Sequence, residues 1–252
     1  MIRVLGIPVS VADLYAAAAM VCTWAESGRW SCVNAVNVHS TMEATRDSEL
    51  RDALQGADLN VPDGVPIVWG MRALGAPEQT RVFGPTLMWE VCRRAAEAGV
   101  AIALYGSTDE TLAALHSTLM RAFPGLRIAD AISPPFRPLT DEEDTAMVAR
   151  INDSGVRIVF VGLGAPKQEK WMAEHRGRVC AVMLGVGAAF DYHAGKIRRA
   201  PVWMQRAGLE WFYRLIQDPR RLWRRYIFNN PAYLVALTRQ VLRERFLHRP
   251  ER

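Results

Sequence analysis

Long hydrophobic runs are missing from this sequence of 252 residues. The nearest stretch, LYAAAAMVCTWA, is shorter than the ~18 residues that a membrane-spanning helix needs, and it follows Asp13. The opening MIRVLGIPVSVADLY has no cationic segment leading into an apolar one, so we expect no signal peptide. With 50% hydrophobic and 23% charged residues, the composition is typical of a soluble globular protein with a sizeable core.

Paired cysteines and two common nucleotide-binding motifs are also missing. The 4 cysteines are scattered and form no CxxC pair, which predicts buried, reduced thiols and no zinc site. GxxxxGK[ST] is absent, which argues against a P-loop kinase or ATPase. Gly162 and Gly164 match the first two glycines of GxGxxG, but Lys167 holds the third position, so a nicotinamide cofactor is disfavoured.

The net charge of +5 is divided unevenly along the chain. Residues 196–252 hold 14 basic and 4 acidic residues, a net +10, whereas residues 1–195 hold 17 basic and 22 acidic residues, a net −5. A basic tail on a mildly acidic body indicates an anionic partner, either a membrane or a nucleic acid.

Continuous apolar segments alternate with helix-like segments through residue 195. VAIALYG, RIVFVGLG and VCAVMLGVG lack polar alternation, which is typical of strands covered on both faces. STMEATRDSELRDALQGA reads as one amphipathic helix. Gly99 is placed to end another helix, and N-capping oxygens are offered by Ser107, Thr108 or Asp109 for the next one and by Thr140 for a third. The pattern predicts an α/β fold, with a Rossmann-like, mostly parallel sheet and helices on both faces.

Residues 196–252 differ in character and predict a basic, aromatic-rich helical appendage to a catalytic domain of residues 1–195. Three helix-like pieces are expected, with breaks near Asp218–Pro219 and Asn229–Pro231. The appendage suits a bilayer surface, or RNA through stacking and phosphate contacts. A solvated basic face with inward-packed aromatics is the plain alternative.

Polar or glycine-rich loops follow three of the strands, where ligands bind in open α/β sheets. Gly106 lies in YGSTDE, Gly164 in GLGAPKQE and Asp191 in GVGAAFDYHAG. Glycines allow close approach to a ligand and helix N-termini favour phosphate oxygens. Each loop alone is equally consistent with an ordinary strand-to-helix turn.

Individual polar residues suggest roles at the same edge of the sheet. Asp63, on the stiff turn VPDGVP, could serve as a general base or merely cap the turn. Asn37, after the first long strand, could bind a sugar hydroxyl. Lys167 could neutralise a phosphate, with Gln168 beside it, while Asp191 could accept bonds from a ribose or base, and Phe136 could stack on a nucleobase or cover the core.

Several long motifs together resemble the WecG/TagA/CpsF family, glycosyltransferase family 26. The segments that carry the resemblance include NVHSTMEATRDSELRDALQGADLNVPDGVPIVWGMRALG, RVFGPTLM, VFVGLGAPKQEKWM and GVGAAFDYHAGKIRRAPVWMQRAGLEWFYRLIQDPRRLWRRY. The resemblance runs from about Gly6 to Pro231. It implies an enzyme on the cytoplasmic face of the membrane that moves a sugar from a UDP-sugar to a polyprenyl-diphosphate-linked acceptor, for a bacterial surface polysaccharide.

The same resemblance assigns roles to residues. It implies inversion at the anomeric carbon with Asp63 as the base, and substrate contacts by Asn37, Gln168 and Asp191. It also implies an arginine-rich appendage that docks on inner-leaflet anionic lipids and touches the lipid diphosphate. On chemical grounds, the candidates for compensating the charge of the departing UDP are Lys167, Arg214, Arg221 and Arg224. Ala35 stands where the family usually has threonine.

Inverting transfer needs one base and a stabilised leaving group, but no covalent intermediate. No DxD motif is present, so we expect a metal-independent reaction without a cofactor. The rival hypotheses are a nucleic-acid-binding protein that uses the basic tail, with a small-ligand α/β body, and a nicotinamide-dependent oxidoreductase. The identity of the sugars and the formation of a homo-oligomer are left open at this point.

Overall fold

The computed structural model describes residues 1–247, apart from the side chains of Arg206, Arg221 and Leu247. Residues 248–252, the end of the expected appendage, lie outside that description. The eight strands are β1 (Ile2–Val4), β2 (Ile7–Val9), β3 (Ser31–Val36), β4 (Leu59–Pro62), β5 (Ala101–Gly106), β6 (Arg127–Ile132), β7 (Ile158–Gly162) and β8 (Val182–Gly185).

The helices alternate with the strands through the first three quarters of the chain. They are α1 (Leu14–Glu26), α2 (Val38–Ala44), α3 (Ser48–Gln55), α4 (Val65–Ala73), α5 (Gly84–Ala98), α6 (Asp109–Ala122), α7 (Asp141–Asp153), α8 (Lys167–Glu174), α9 (Ala189–His193), α10 (Val202–Arg206), α11 (Glu210–Gln217) and α12 (Pro219–Leu247). Gly99 is left-handed after α5, as predicted. Of the three candidates before α6, Thr108 is the cap, and Thr140 caps α7; both threonine side chains accept amide hydrogen bonds.

Strands β3 to β8 form one parallel sheet in the order β4-β3-β8-β7-β5-β6. Successive side chains of a strand face opposite sides of the sheet. In β7, Ile158 and Phe160 pack in the core cluster that contains α1 and α5, while Val159 and Val161 pack in the cluster beneath α7 and α8. Both faces are therefore covered, which confirms the predicted Rossmann-like α/β class.

The N-terminal β1–β2 hairpin, which the sequence analysis does not assign, covers one edge of the sheet. Ser10 donates its N–H to the carbonyl oxygen of Asn60 in the edge strand β4 at 2.8 Å, and Asn60 Nδ2 donates to Pro8 O at 2.9 Å. Covering an edge strand removes a template for unwanted strand pairing. At the opposite edge, β6 alternates between exposed and partly buried residues, as expected for a strand with one face in solvent.

Two predicted helix boundaries are wrong. The segment read as one amphipathic helix is divided into α2 and α3, because Asp47 accepts a hydrogen bond from Leu50 N at 3.1 Å and caps a new helix. The expected break near Asn229–Pro231 does not occur, since α12 continues through Pro231. Burial of Asn229 and Tyr233 on either side offsets the hydrogen bond that proline removes.

Helix α12 is packed into the body of the protein. Tyr233 and Leu237 are buried in a core cluster with Val4 and Ile7 of the hairpin and Ile67 of α4. The Tyr233 hydroxyl donates to Pro66 O at 3.0 Å. This packing brings α11 and the first half of α12 over the carboxyl ends of β3 and β4. No helix among residues 1–247 has the length and hydropathy that crossing a bilayer requires.

Candidate active site

The carboxyl ends of four parallel strands open into a cleft of about 410 Å³, which we call the strand-end cleft. The loops after β3, β4, β7 and β8 line it, together with Phe83–Pro85 and residues of α8, α11 and α12. Six of the predicted site residues meet here: Asn37, Asp63, Gly164, Gln168, Asp191 and Arg214. Convergence of residues so distant in sequence is expected at the carboxyl edge of an open α/β sheet.

A smaller cleft of about 110 Å³, which we call the helix cleft, lies between the Asp63 turn and helices α11 and α12. The two clefts share Asn37, His39, Asp63, Phe83, Arg214 and Arg225. Asp63 therefore stands at their junction, where it can face a different molecule on each side.

Asp63 is held rigidly. Its backbone N–H donates to Val36 O at 2.8 Å, which ties the turn to the end of β3, and its Oδ1 accepts from Gly84 N at 2.9 Å. Burial raises the pKa of the Asp63 carboxyl, against the opposing effect of the Arg81 guanidinium, which lies 3.9 Å from Oδ1. A carboxylate with a raised pKa is a stronger base than an exposed one.

Arg81 and Glu210 form a largely buried ion pair beside this carboxylate. Arg81 also donates to the backbone oxygen of Asp63, and its guanidinium lies 4.2 Å from the Phe83 ring centre. Both residues lie in segments that carry the family resemblance, RVFGPTLM and GLEWFYRL, but neither is among the predicted site residues. The pair joins α11 to the turn that holds Asp63.

Asn37 serves first as a helix cap. Its Oδ1 accepts from His39 N at 3.0 Å and Ser40 N at 3.2 Å, and Ser40 Oγ completes a capping box. Oδ1 also lies 3.4 Å from Arg225 Nη2. Because Oδ1 is engaged, a substrate contact by Asn37 would use its amide nitrogen.

His39 is a neutral imidazole at the junction. Burial and the charge of Arg225 lower its pKa to about 4. Its Nδ1 lies 3.2 Å from Asn229 Nδ2, and because an amide N–H only donates, Nδ1 accepts and the ring proton is on Nε2. His39 can thus donate one hydrogen bond without carrying charge, and the sequence analysis does not include it among its site residues.

Gln168 and Glu169 are both buried, whereas Lys167 is exposed. Gln168 Nε2 donates to Glu169 Oε1 at 3.0 Å, and Gln168 Oε1 finds no donor in the described chain. Burial raises the pKa of Glu169 to about 7. The free carbonyl oxygen of Gln168, on the wall of the strand-end cleft, suits a ligand N–H or O–H.

Phe136 and Lys167 lie in a neighbouring cleft of about 620 Å³, bounded by the loops after β5, β6 and β7. Gly162 and Leu163 line both this cleft and the strand-end cleft, so the two adjoin. The Phe136 side chain is 86% exposed and makes no core contact that would explain it as cover.

A glycine is needed at position 106 for a structural reason. Its φ is +120°, and a Cβ there would come within 2.7 Å of the Gly162 backbone. It therefore sets the close approach of β5 to β7 and does not line any of the three clefts. Gly164, at φ +79°, has open space where a side chain would project, and it does line the strand-end cleft.

The predicted arginines do not all line the clefts. Arg214 lines both clefts and lies 5.7 Å from the Tyr192 ring centre. Arg224 is exposed and lines neither cleft, with its guanidinium over Trp223, and the side chain of Arg221 is outside the described part of the structure. Arg225, one residue beyond the predicted position, faces the site instead.

Ala35, where the family usually has threonine, lines the strand-end cleft near Gly84. Its methyl group offers no hydroxyl to a ligand. Among residues 1–247, no group of three or more histidine, cysteine or acidic side chains is placed to hold a metal ion. Metal independence stays a prediction.

Comparison with known proteins assigns the chain to a family. The model of the glycosyl transferase WecG/TagA/CpsF family matches residues 2–247. The chain belongs to this family. The recognition made from motifs is therefore confirmed, and with it the assignment as a glycosyltransferase.

Two curated relatives are similar over most of their length. An N-acetylglucosaminyldiphosphoundecaprenol N-acetyl-beta-D-mannosaminyltransferase from Bacillus subtilis (strain 168) is 30% identical over 221 residues, which cover 87% of this chain and 84% of the relative. A protein of the same name from Bacillus spizizenii (strain ATCC 23059 / NRRL B-14472 / W23) is 31% identical over 216 residues, covering 85% and 81%.

Proposed function

We propose that this family member transfers a sugar from a UDP-sugar to a polyprenyl-diphosphate-linked acceptor sugar, with inversion and with Asp63 as the general base. The observation that carries the proposal is the position of Asp63, a partly buried carboxylate at the junction of two clefts. In a single displacement, the acceptor hydroxyl attacks the anomeric carbon of the donor sugar on the face opposite to the departing UDP, and a base beside that hydroxyl takes its proton.

The donor is assigned to the strand-end cleft. Its glycine loops after β7 and β8 bring backbone groups close to a diphosphate, and Arg214 and Arg225 provide positive charge for the departing UDP. Gln168 and Asp191 supply an unpaired amide oxygen and a carboxylate for the nucleoside. The adjoining cleft with Phe136 and Lys167 offers an aromatic face and a cation for the same molecule.

The acceptor is assigned to the helix cleft. The names of the two Bacillus relatives contain N-acetylglucosaminyldiphosphoundecaprenol, so a lipid-linked N-acetylglucosamine is the first acceptor to test. A polyprenyl tail remains in the bilayer, so the enzyme would work on the inner face of the membrane as a peripheral protein. Residues of α11 and α12 line the helix cleft, and both helices belong to the basic part of the chain.

The charge compensation in this proposal requires no metal ion. Arginine side chains and backbone amides would stabilise the leaving diphosphate, and turnover is therefore expected to survive EDTA. Loss of turnover that Mg²⁺ or Mn²⁺ restores would contradict this part of the proposal.

The test is an assay of UDP release with a panel of UDP-sugars and lipid-linked N-acetylglucosamine. Asp63→Asn is expected to retain UDP binding in calorimetry but to lose at least about 10²-fold in turnover, the low end for a general base. Asp153→Asn, at an exposed carboxylate near the end of α7, is the matched control and should keep its activity. Near-normal turnover of Asp63→Asn would exclude the role of base.

A further inference from the structure

Glu210 is a buried carboxylate that uses only one of its two oxygens. The residue is 6% exposed, and its Oε2 pairs with Arg81. Its Oε1 is buried and finds no donor in the described part of the chain. A buried carboxylate oxygen normally accepts hydrogen bonds, and leaving it without a donor costs free energy. Glu210 lines the helix cleft, so a ligand group that donates a hydrogen bond to this oxygen would reach it from there.

A second unpartnered polar atom lies close by. The hydroxyl of Tyr192, in α9, is buried and makes no hydrogen bond within residues 1–247. The Tyr192 ring meets Phe83 edge-on with 5.6 Å between the ring centres, and Phe83 lies beneath the guanidinium of Arg81, the partner of Glu210. Burial raises the pKa of Tyr192. Tyr192 therefore remains protonated and can donate.

The two atoms have complementary chemistry. Glu210 Oε1 can only accept a hydrogen bond, while the Tyr192 phenol can donate one. A single alcohol group satisfies both atoms, because its O–H donates a hydrogen bond to the carboxylate while its oxygen accepts one from the phenol. A carboxylate or phosphate would be repelled by Glu210, and an ammonium group could not accept from Tyr192.

Glu210 and Tyr192 line the two clefts that meet at Asp63, the proposed base. Glu210 lines the helix cleft and Tyr192 lines the strand-end cleft, and Asp63, Phe83 and Arg214 line both. Neighbouring hydroxyls on a sugar ring are close together, so binding one of them between Glu210 and Tyr192 brings the next one towards Asp63.

We propose that Glu210 Oε1 and the Tyr192 hydroxyl bind one hydroxyl group of the acceptor sugar, adjacent to the hydroxyl that Asp63 deprotonates. The inference rests on the proposed glycosyl transfer and identifies the residues that select and orient the acceptor. Neither residue takes part in proton transfer.

Glu210→Gln and Tyr192→Phe test the proposal in steady-state kinetics with a lipid-linked acceptor. Glutamine keeps a carbonyl oxygen for Arg81 but replaces the free acceptor with an amide N–H. We expect the acceptor KM to rise about 10-fold or more in Glu210→Gln, as for a lost hydrogen bond to a charged group, while the donor KM stays within about twofold. Tyr192→Phe should raise the acceptor KM by a smaller factor.

Acceptors that lack single hydroxyl groups distinguish a direct contact of Glu210 with the acceptor from a role of Glu210 in holding Arg81. An acceptor that lacks the bound hydroxyl should be a poor substrate of the wild type, and Glu210→Gln should lose nothing further with it, since contacting groups are not additive. If Glu210 only holds Arg81, Glu210→Gln will lower turnover by the same factor with every analogue. That result would overturn the inference.

Two controls complete the design. Glu78→Gln, at an exposed position after α4, should change neither KM, and thermal melts check that each variant folds. Tyr192→Phe removes one oxygen without touching the Arg81 ion pair, so it remains informative if Glu210→Gln is unstable. A wild type that transfers to lipid-linked sugars while both variants keep the wild-type acceptor KM would overturn this inference alone. A wild type that transfers to none would overturn the proposed function with it.

Discussion

At the scale of single residues, burial determines the behaviour of the site's carboxylates. Asp63 and Glu169 each lie near an arginine, yet the pKa of both carboxyl groups is raised, with burial as the largest cause. Taking a carboxylate out of water disfavours its charged form, and nearby arginines offset only part of that cost. Two measurable pH dependences follow from these shifts.

The first concerns activity. The raised pKa of Asp63 means that its basic form is lost at a higher pH than for an exposed aspartate, as the pH falls. The acidic limb of the kcat/KM profile should therefore lie above pH 3.8, the ordinary aspartate value. A profile of kcat/KM from pH 4 to 8 measures it. A limb at or below the ordinary value would show that Asp63 is not the group being titrated.

The second concerns stability. With its pKa raised from 4.5 to about 7, Glu169 retains a proton in the folded state that it loses in the unfolded state. The free energy of unfolding should therefore fall by about 1.4 kcal/mol per pH unit from this group between those values, as the pH rises. Glu169→Gln should abolish this slope and be more stable than the wild type at pH 8, with little difference near pH 4.5.

Urea denaturation at several pH values measures this effect. Glu174→Gln, on the same helix but exposed, is the matched control and should follow the wild type at every pH. Equal stability of Glu169→Gln and the wild type at pH 8 would mean that the buried carboxyl is not protonated in the folded protein.

At the scale of secondary-structure elements, helix starts supply many of the polar groups in the site. Asn37 caps α2, Asp63 precedes α4, Gln168 lies in the first turn of α8 and Asp191 in that of α9. Parallel strands place these helix starts at one edge of the sheet. These positions are recognisable in the sequence because each follows a strand-like segment.

Asn37 permits the structural and the functional role of one residue to be separated. Serine also caps helices well, so Asn37→Ser should keep the unfolding free energy within about 0.5 kcal/mol, whereas Asn37→Ala should lose about 1 kcal/mol. If the amide nitrogen contacts substrate, both variants should lose substrate affinity to a similar extent. Chemical denaturation and steady-state kinetics measure the two effects, and full affinity in Asn37→Ser would confine Asn37 to capping.

At the scale of the whole molecule, α12 has two unlike faces. Tyr233 and Leu237 are buried against the body, while Phe228, Val235, Leu242 and Phe246 are exposed. Their spacing of 7, 7 and 4 residues places the exposed four along one stripe of the helix. An exposed apolar stripe on a basic segment suits the surface of an anionic bilayer.

The stripe yields a sharper test of membrane docking than removal of residues 196–252, because removal would also take Tyr233 and Leu237 out of the core. Phe228→Ser with Leu242→Ser should reduce flotation with vesicles of anionic lipid by at least about fivefold, through the loss of buried apolar area. Val11→Ser with Tyr15→Ser, at exposed apolar positions far along the chain, is the control. Undiminished flotation of the stripe variant would place the membrane contact elsewhere.

The sequence by itself determined the fold class, the family and the edge of the sheet where the site lies. Uninterrupted apolar strands followed by glycine and polar residues are local patterns, and strand direction then brings Asp63, Gln168 and Asp191 together without any knowledge of packing. The motifs PDG, GLGAPKQE and GLEWFYRL are local as well, so they were readable before the structure.

Only the tertiary structure decided which side chains face one another. The pairing of Arg81 with Glu210, the position of Arg225 in the site while Arg224 faces outward, and the uninterrupted course of α12 through Pro231 depend on how the C-terminal helices pack against the hairpin and α4. A helix rotation of about 100° per residue separates neighbouring arginines, and burial elsewhere in the helix outweighs the local penalty of proline. Neither effect is encoded in a short segment, because both are free-energy balances over contacts distant in sequence.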